Sequence, residues 1–378
     1  LLTGNATGKS NSTVTRRENE KHPTSKPNSE KYSDKGMFSE DDFAEIPNTY
    51  RKIVTNTANH ALAKSTWDSY KSSLRRLKDC ERETGTPMNL PLEEREVILF
   101  IAFLIEKELA ASTIESYLSG LRQAHIAGGW GDRNLRSSKI KQILKGRKNQ
   151  LLQVNKGQKR LPITPTIMTL MKCYLKKQKM DNKRKLLVWA IATCAFAGGF
   201  RIHELLPQNG RSFDPNKTLL WRDIQLKQVK IEDEELTILQ ICLKTEKTRK
   251  SKGHTIVDIY ESRGVLCPIR AFKKWSESRQ RTKEDLPAFL DEEGANFTGR
   301  RFNGFLRAFQ AEKLPNIQGS ISSHSFRAGL ATMLGSLGFS DEDIKSTGRW
   351  SSRAFLEYLK LPRSRRAEMA KEIAKLKL

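Results

Sequence analysis

The stretch that decides the fold is Ser322 to Tyr358, SSHSFRAGLATMLGSLGFSDEDIKSTGRWSSRAFLEY. It opens with His324 and Arg327, three residues apart, a spacing that places both on one face of a helix. A small and apolar run follows (Ala328, Leu330, Ala331, Met333, Leu334, Leu337), and Gly338 marks a helix stop. Ser340 and Asp343 form a capping box for a second helix. Gly348-Arg349-Trp350 then reads as a turn, Ser351 or Ser352 opens a further short helix, and Tyr358 lies on it. Alone, the stretch is three packed helices with some surface charge. The rest of the chain must say whether its polar residues do chemistry.

Working upstream, Leu186 to Phe200 (LLVWAIATCAFAGGF) is almost wholly apolar. It is too short to span a bilayer and predicts a helix buried on all sides. Gly198-Gly199 stop that helix, and Arg201-Ile202-His203-Glu204-Leu205 follow at once. An arginine just past a buried helix is rigidly held and partly desolvated, which suits it to grip a phosphate with two donors. A plain structural Arg201–Glu204 pair is the competing reading. Three segments with period-two alternation follow, near 224–231, 236–243 and 254–260, and predict antiparallel strands. The turn between the second and third, LKTEKTRKSKG, carries Lys244, Lys247, Lys250 and Lys252. Cys267-Pro268 and Thr298 each begin a further helix.

These residues together resemble the tyrosine recombinase (phage integrase) family. Ala-Gly-Gly-Phe-Arg-Ile-His-Glu-Leu is similar to the family's first block, with Arg201 at the catalytic arginine and Glu204 at the acidic residue that orients the site. His324, Arg327, Trp350 and Tyr358 fall in order on the second block, where the tyrosine attacks DNA. The Trp350–Tyr358 interval is one residue shorter than in the common bacterial and phage pattern, and the Gly-Arg-Trp form is most similar to recombinases of eukaryotic DIRS-type or crypton mobile elements. In the family a lysine on the β-hairpin enters the minor groove. Lys244 matches that position best and Lys247 is the alternative.

Composition agrees with a polyanionic partner. The chain of 378 residues carries 68 Lys and Arg against 43 Asp and Glu, a net charge of +25. Nucleic acid is the better expected partner than a membrane, since no apolar run is long enough to cross one, and the resemblance implies that it is double-stranded DNA. Cys80, Cys173, Cys194, Cys242 and Cys267 are scattered without a CxxC pair, which predicts reduced core thiols, an intracellular protein and no zinc site. His203 and His254 have no partner at metal-ligand spacing, so neither a metal nor another cofactor is expected. If the resemblance holds for a eukaryotic element, the site of action is the nucleus.

The N-terminal part divides by composition. Residues 1–42 are polar and basic and cannot bury enough surface to order, so a disordered tail is expected. Residues 43–149 carry four amphipathic patterns and predict an all-α domain. The first begins at a Ser65–Asp68 capping box and the third at a Ser112–Glu115 box. The fourth, from Ser138 to Lys148, holds Lys139, Lys141, Lys145, Arg147 and Lys148 around an apolar stripe. These are either a solvated face or phosphate contacts. The run Thr-Ile-Glu-Ser-Tyr-Leu-Ser-Gly-Leu-Arg resembles the family's core-binding domain, which forms half of a clamp on the duplex. Residues 150–160 predict a linker, and Thr164-Pro165 opens the catalytic domain of residues 161–378. The fold class expected is mainly α with a small antiparallel β-sheet in the catalytic domain. Beyond Tyr358, Pro362 breaks the helix and Ser364 can cap a C-terminal helix. This helix either folds back on its own domain or, as the resemblance implies, docks on a neighbouring protomer. The resemblance also implies a homodimer on one DNA site and a homotetramer on paired sites.

The chemistry implied is cleavage and rejoining of DNA strands through a 3′-phosphotyrosyl link. A phosphodiester transition state carries extra charge on its non-bridging oxygens, and Arg201 and Arg327 supply forked donors to them. A phenol with a pKa near ~10 is a poor nucleophile at neutral pH. Tyr358 therefore needs the base His324 and a cationic field. Lys244 would protonate the departing 5′ oxygen, and Trp350 would offer its indole N–H. The covalent link stores the bond energy, so ATP is not required. A type IB topoisomerase-like cleavage and a catalytically silent DNA-binding relic of a mobile element are the competing functions.

Overall fold

The computed structural model describes residues 38–154, 160–244, 254–279 and 283–359. Two compact units divide the chain, Leu1–Lys156 and Gly157–Leu378.

Unit 1 is wholly helical among its described residues. Its helices are α1 (Asn48–Asn59), α2 (Lys64–Thr84), α3 (Glu94–Glu106), α4 (Ala111–Ala127) and α5 (Ser138–Val154). Most of the apolar stripes meet in one core, where Leu77, Val97, Phe100, Ile101, Ile114, Leu118 and Leu121 are all at most 3% exposed, while Trp67 packs in a second cluster with Ala124 and Ala127. Gly120 lets α4 close on α2, because a Cβ there would lie 2.2 Å from the Ser73 hydroxyl. His125, fully buried on α4, is a structural staple. Its Nε2 accepts from the Leu92 amide at 3.1 Å and its Nδ1 donates to the Gly131 carbonyl at 3.2 Å. Burial lowers its pKa, so it stays neutral.

Several boundaries differ from the sequence reading. Residues 38–42 are ordered: Ser39 and Asp42 cap a 3-10 turn at Glu40–Phe43, and the Phe38 backbone exchanges two hydrogen bonds with the Asn59 side chain. The Phe38 ring stacks on Phe43 at 5.7 Å and packs against the Trp67 cluster, which outweighs the polar composition around it. Helices α2 and α4 begin one residue before the serine boxes, behind Ala63 and Ala110, so neither box caps a helix. The expected linker is partly helical, because α5 runs on to Val154. No glycine or proline stands between Gly146 and Gly157 to stop it. Residues 1–37 of the expected tail and the C-terminal helix after Leu359 lie outside the described residues.

Unit 2 is built on α7 (Asn182–Ala197), whose residues Leu187 to Phe196 are buried without interruption. It follows α6 (Pro165–Lys177), which Thr164 caps through its hydroxyl with Pro165 at the first position. After the single turn α8 (Ile202–Leu205) come strands β1 (Ile224–Ile231), β2 (Glu234–Leu243) and β3 (Thr255–Tyr260), in the order β1-β2-β3 and antiparallel throughout. Helices α9 (Pro268–Ser278), α10 (Gly299–Lys313), α11 (His324–Ser336) and α12 (Asp341–Thr347) complete the unit. The fold class is the expected one, mainly helical with one small sheet. The cysteines are free: Cys80, Cys194 and Cys267 are buried, whereas Cys173 is exposed on α6 and is not a core thiol.

Two close approaches fix α11. The segment Leu161–Ile163 runs beside its start, with the Leu161 amide on Ser320 O and the Ile163 amide on Ser325 O. Gly329 makes room, since a Cβ there would meet the Ile163 carbonyl oxygen at 2.0 Å.

Candidate active site

The site forms where α7 ends. Gly199 takes φ +55°, and the chain turns so that Arg201 becomes the residue that precedes α8 and Glu204 its third helical position. One carboxylate oxygen of Glu204 accepts from the Arg201 amide at 2.9 Å, and the other from Arg201 Nη1 at 3.0 Å. Glu204 receives a second guanidinium as well, Arg349 Nη2 at 2.8 Å. Its side chain is only 1% exposed. A buried carboxylate with a single cation barely offsets its desolvation. Here two cations and a backbone amide hold it, and the trio keeps a net positive charge.

Arg349 was read from sequence as a turn residue only. It sits in the left-handed region at φ +54° and sends Nη1 to the Gly198 carbonyl at 2.8 Å, with its guanidinium 4.7 Å from the centre of the Phe200 ring. No local signal in the sequence marks it, because its partners lie 145 and 151 residues away along the chain. Gly348 is obligatory beside it, because a Cβ there would lie 1.6 Å from the Trp350 ring.

Arg327 comes from the first turn of α11 and is 6% exposed. Its Nη1 donates to the Gly199 carbonyl at 2.7 Å and its Nη2 to the Arg349 carbonyl at 3.0 Å, and the guanidinium stacks 4.5 Å from the Trp350 ring centre. Carbonyls from the Gly198-Gly199 turn thus hold both Arg327 and Arg349. Arg201, Glu204, Arg327, Arg349 and Trp350 are one connected group. The indole of Trp350 lies against the Arg327 face, with Ala331, Ile344 and Phe355 around it.

His324 stands at the start of α11, exposed at its edge. Its pKa is lowered, first by the desolvation of its inner side and then by the positive charges of Arg160, His203, Arg201 and Arg327. Its exposed edge gives proton access, while the crowding of cations favours the neutral ring, the form that accepts a proton.

Tyr358 closes a 3-10 helix, Arg353–Tyr358, that Ser352 caps. The helix was expected, though its tighter winding was not. The Thr332 hydroxyl of α11 lies 2.8 Å from the Ala328 carbonyl of its own helix and 3.0 Å from the Tyr358 carbonyl, and its one proton is shared between them, so the helix bearing His324 and Arg327 also touches the backbone of the tyrosine. Its ring, half-buried, packs at the edge of the Trp350 cluster.

Lys244, at the end of β2, has its ammonium 2.7 Å from Asp223 Oδ2 and donates to Pro215 O at 3.0 Å. These partners are not members of the arginine group, and the sequence reading did not foresee them. Lys247, Lys250 and Lys252 lie outside the described residues. In unit 1, Lys139, Lys141, Lys145 and Lys148 are exposed along α5. Lys139 lies 3.6 Å from Glu94, and Arg147 spends its Nε on the Leu109 carbonyl. Among the described residues no group of His, Cys, Asp and Glu could hold a metal ion, and no helix is long and apolar enough to cross a membrane.

No family model matches the chain, and no curated protein matches its sequence. Solved structures do. XerH, a site-specific recombinase in a post-cleavage complex with palindromic difH, superposes with a TM-score of 0.56 at 13% identity, covering 92% of each chain. The fold is that of a site-specific recombinase. The Tn1549 transposon integrase in complex with transposon right end DNA gives 0.54 at 14% identity, over 86% of this chain and 98% of that one. A lambda integrase dimer bound to a COC′ core site gives 0.52 at 16%, over 83% and 75%.

Proposed function

We propose that this protein is a DNA recombinase or integrase that cleaves and rejoins strands through Tyr358. The observation that carries the reading is the buried Glu204, which with the Gly198-Gly199 carbonyls fixes Arg201 and Arg327 beside His324. Such a rigid cationic group suits a phosphodiester whose charge grows in the transition state, because fixed donors need no reorganisation as it forms. The likeness of fold to three DNA-bound recombinases and integrases supports the same reading.

In this mechanism His324 takes the Tyr358 proton as the phenolic oxygen attacks phosphorus. The P–O5′ bond breaks, a 3′-phosphotyrosyl bond forms, and Lys244 donates a proton to the departing 5′ oxygen. Attack by a 5′-hydroxyl reverses each step, so no ATP is consumed. Trp350 supports the Arg327 plane. The exposed lysines of α5 hold backbone phosphates, with Arg147 contributing charge from its fixed position. Dimers on one site and tetramers on paired sites, a eukaryotic mobile element of DIRS or crypton type and action in the nucleus complete the proposal.

Incubation with a nicked duplex that traps the cleaved strand should give an SDS-resistant adduct, and Tyr358→Phe should abolish it while DNA affinity stays within a few-fold. An adduct persisting in that variant, mapped to another tyrosine, overturns the assignment.

A further inference from the structure

Five cations converge on a cleft of unit 2 that the strand-transfer reading does not use. The cleft has a volume of about 430 Å³ and lies between α6, α7 and the start of α9. Lys172 and Lys176 are one turn apart on α6, Lys185 comes from α7, and Arg270 and Lys274 are one turn apart on α9. The four-residue spacings bring each pair to one face. No carboxylate lines the cleft, and among the described residues none of the five cations is paired with one. Arg270 lies in the first turn of α9, so the positive end of that helix adds to the field, whereas the Asp181 carboxylate caps the start of α7 and offsets its end.

The crowding leaves a mark on Lys172. Its ammonium lies 4.3 Å from the centre of the Trp189 ring. Burial, then the charges of Lys274 and Lys176, bring its pKa down to about 8. Like charges gathered in a concavity repel one another and weaken the fold unless an anion offsets them. Along α7 the cleft residues Lys185 and Trp189 stand thirteen and nine residues before Gly198, about 20 and 14 Å at the rise of a helix, so the cleft is separate from the turn that holds the arginines.

We propose that this cleft binds a compact polyphosphate anion, a small molecule that carries several clustered phosphate groups. The volume is in the usual range for small-ligand sites, about 300–1,000 Å³. Lysines approach from three helices and so surround a ligand from several sides. A duplex backbone, convex and extended, would meet the rim of such a hollow and leave Lys172 untouched. The proposal stands apart from strand transfer and does not depend on it.

Residue-resolved acylation of the full chain at pH 8, read by mass spectrometry, tests it with sodium tripolyphosphate as the probe. Sodium sulfate at matched ionic strength and a duplex DNA serve as comparison arms. The expected result is saturable protection of Lys172, Lys176, Lys185 and Lys274 by tripolyphosphate alone. Titration calorimetry should show the affinity falling about tenfold or more in Lys172→Gln/Lys274→Gln, which loses two charge-assisted contacts, and unchanged in Arg201→Gln. Because the double substitution relieves repulsion, its melting temperature should not fall, and a cooperative melt in each variant shows that it is folded. Equal protection by sulfate, unchanged affinity in the double variant, loss of tripolyphosphate binding in Arg201→Gln, or protection of the same lysines by DNA instead would overturn the proposal. The covalent-adduct assay is run in parallel, so a failure of strand transfer is seen separately.

Discussion

Arg349 offers the sharpest test of how the site is held. Replacing it with alanine removes the 2.8 Å bond to Glu204, the 2.8 Å bond to the Gly198 carbonyl and the stacking on Phe200. Removing one partner of a buried ion pair costs about 3–5 kcal/mol. Glu204 keeps Arg201 and the Arg201 amide, so the low end, about 3 kcal/mol, is expected. The backbone modifies this figure, because a non-glycine residue at φ +54° carries a strain of about 1–2 kcal/mol. Arg349→Gly relieves that strain and should be the less damaging by about 1 kcal/mol. Arg349→Lys keeps a charge but has one nitrogen where the guanidinium places two, on Gly198 and on Glu204, and no plane to stack on Phe200, so it should lose about 1–2 kcal/mol. Urea unfolding followed by tryptophan fluorescence measures the series, since Trp189, Trp221, Trp275 and Trp350 all belong to unit 2. Single-turnover adduct formation on nicked DNA should fall in the order lysine, glycine, alanine, as Glu204 draws Arg201 inward. Alanine and wild type unfolding within 0.5 kcal/mol of each other, a margin of about the size seen for inert surface changes, would refute the buried network. Glycine proving worse than alanine would refute the strain argument.

Three other outcomes follow from the geometry. Lys244→Ala should block cleavage of ordinary DNA but not of DNA with a 5′-bridging phosphorothiolate, because a thiolate leaves unprotonated; rescue of Lys247→Ala instead would move the general acid three residues along. The acid limb of the free-enzyme pH profile should lie below the 6.5 of an ordinary histidine, because desolvation first, and then the neighbouring cations, hold His324 neutral to lower pH. Bound phosphodiester offsets those cations, so the limb for the bound complex should sit higher, and limbs that coincide or survive in His324→Gln would exclude the histidine as base. Gly348→Ala should cost several-fold more adduct than Gly146→Ala, measured at equal folded protein, because a Cβ at 348 meets the Trp350 ring at 1.6 Å and one at 146 meets nothing within 4 Å.

The sequence by itself determined the elements whose causes are local. The continuous apolar run of α7 predicted a helix buried on every side, Thr164-Pro165 and Ser340–Asp343 predicted the starts of α6 and α12, and the period-two segments predicted the three strands. Arg201 and Glu204 were readable as a pair because their partnership spans a single turn. Tertiary structure alone decided the contacts made across the chain. Arg349 reaches Glu204 from 145 residues away and Gly198 from 151, and Lys244 finds Asp223 and Pro215 across the base of the sheet. Helix starts at Ala63 and Ala110, where better capping residues lay just beyond, were set by packing, which outweighs a cap worth about 1 kcal/mol. The cleft on α6, α7 and α9 has the same origin. Its cations are ordinary surface charges in the sequence, and only the packing of three helices puts them around one hollow.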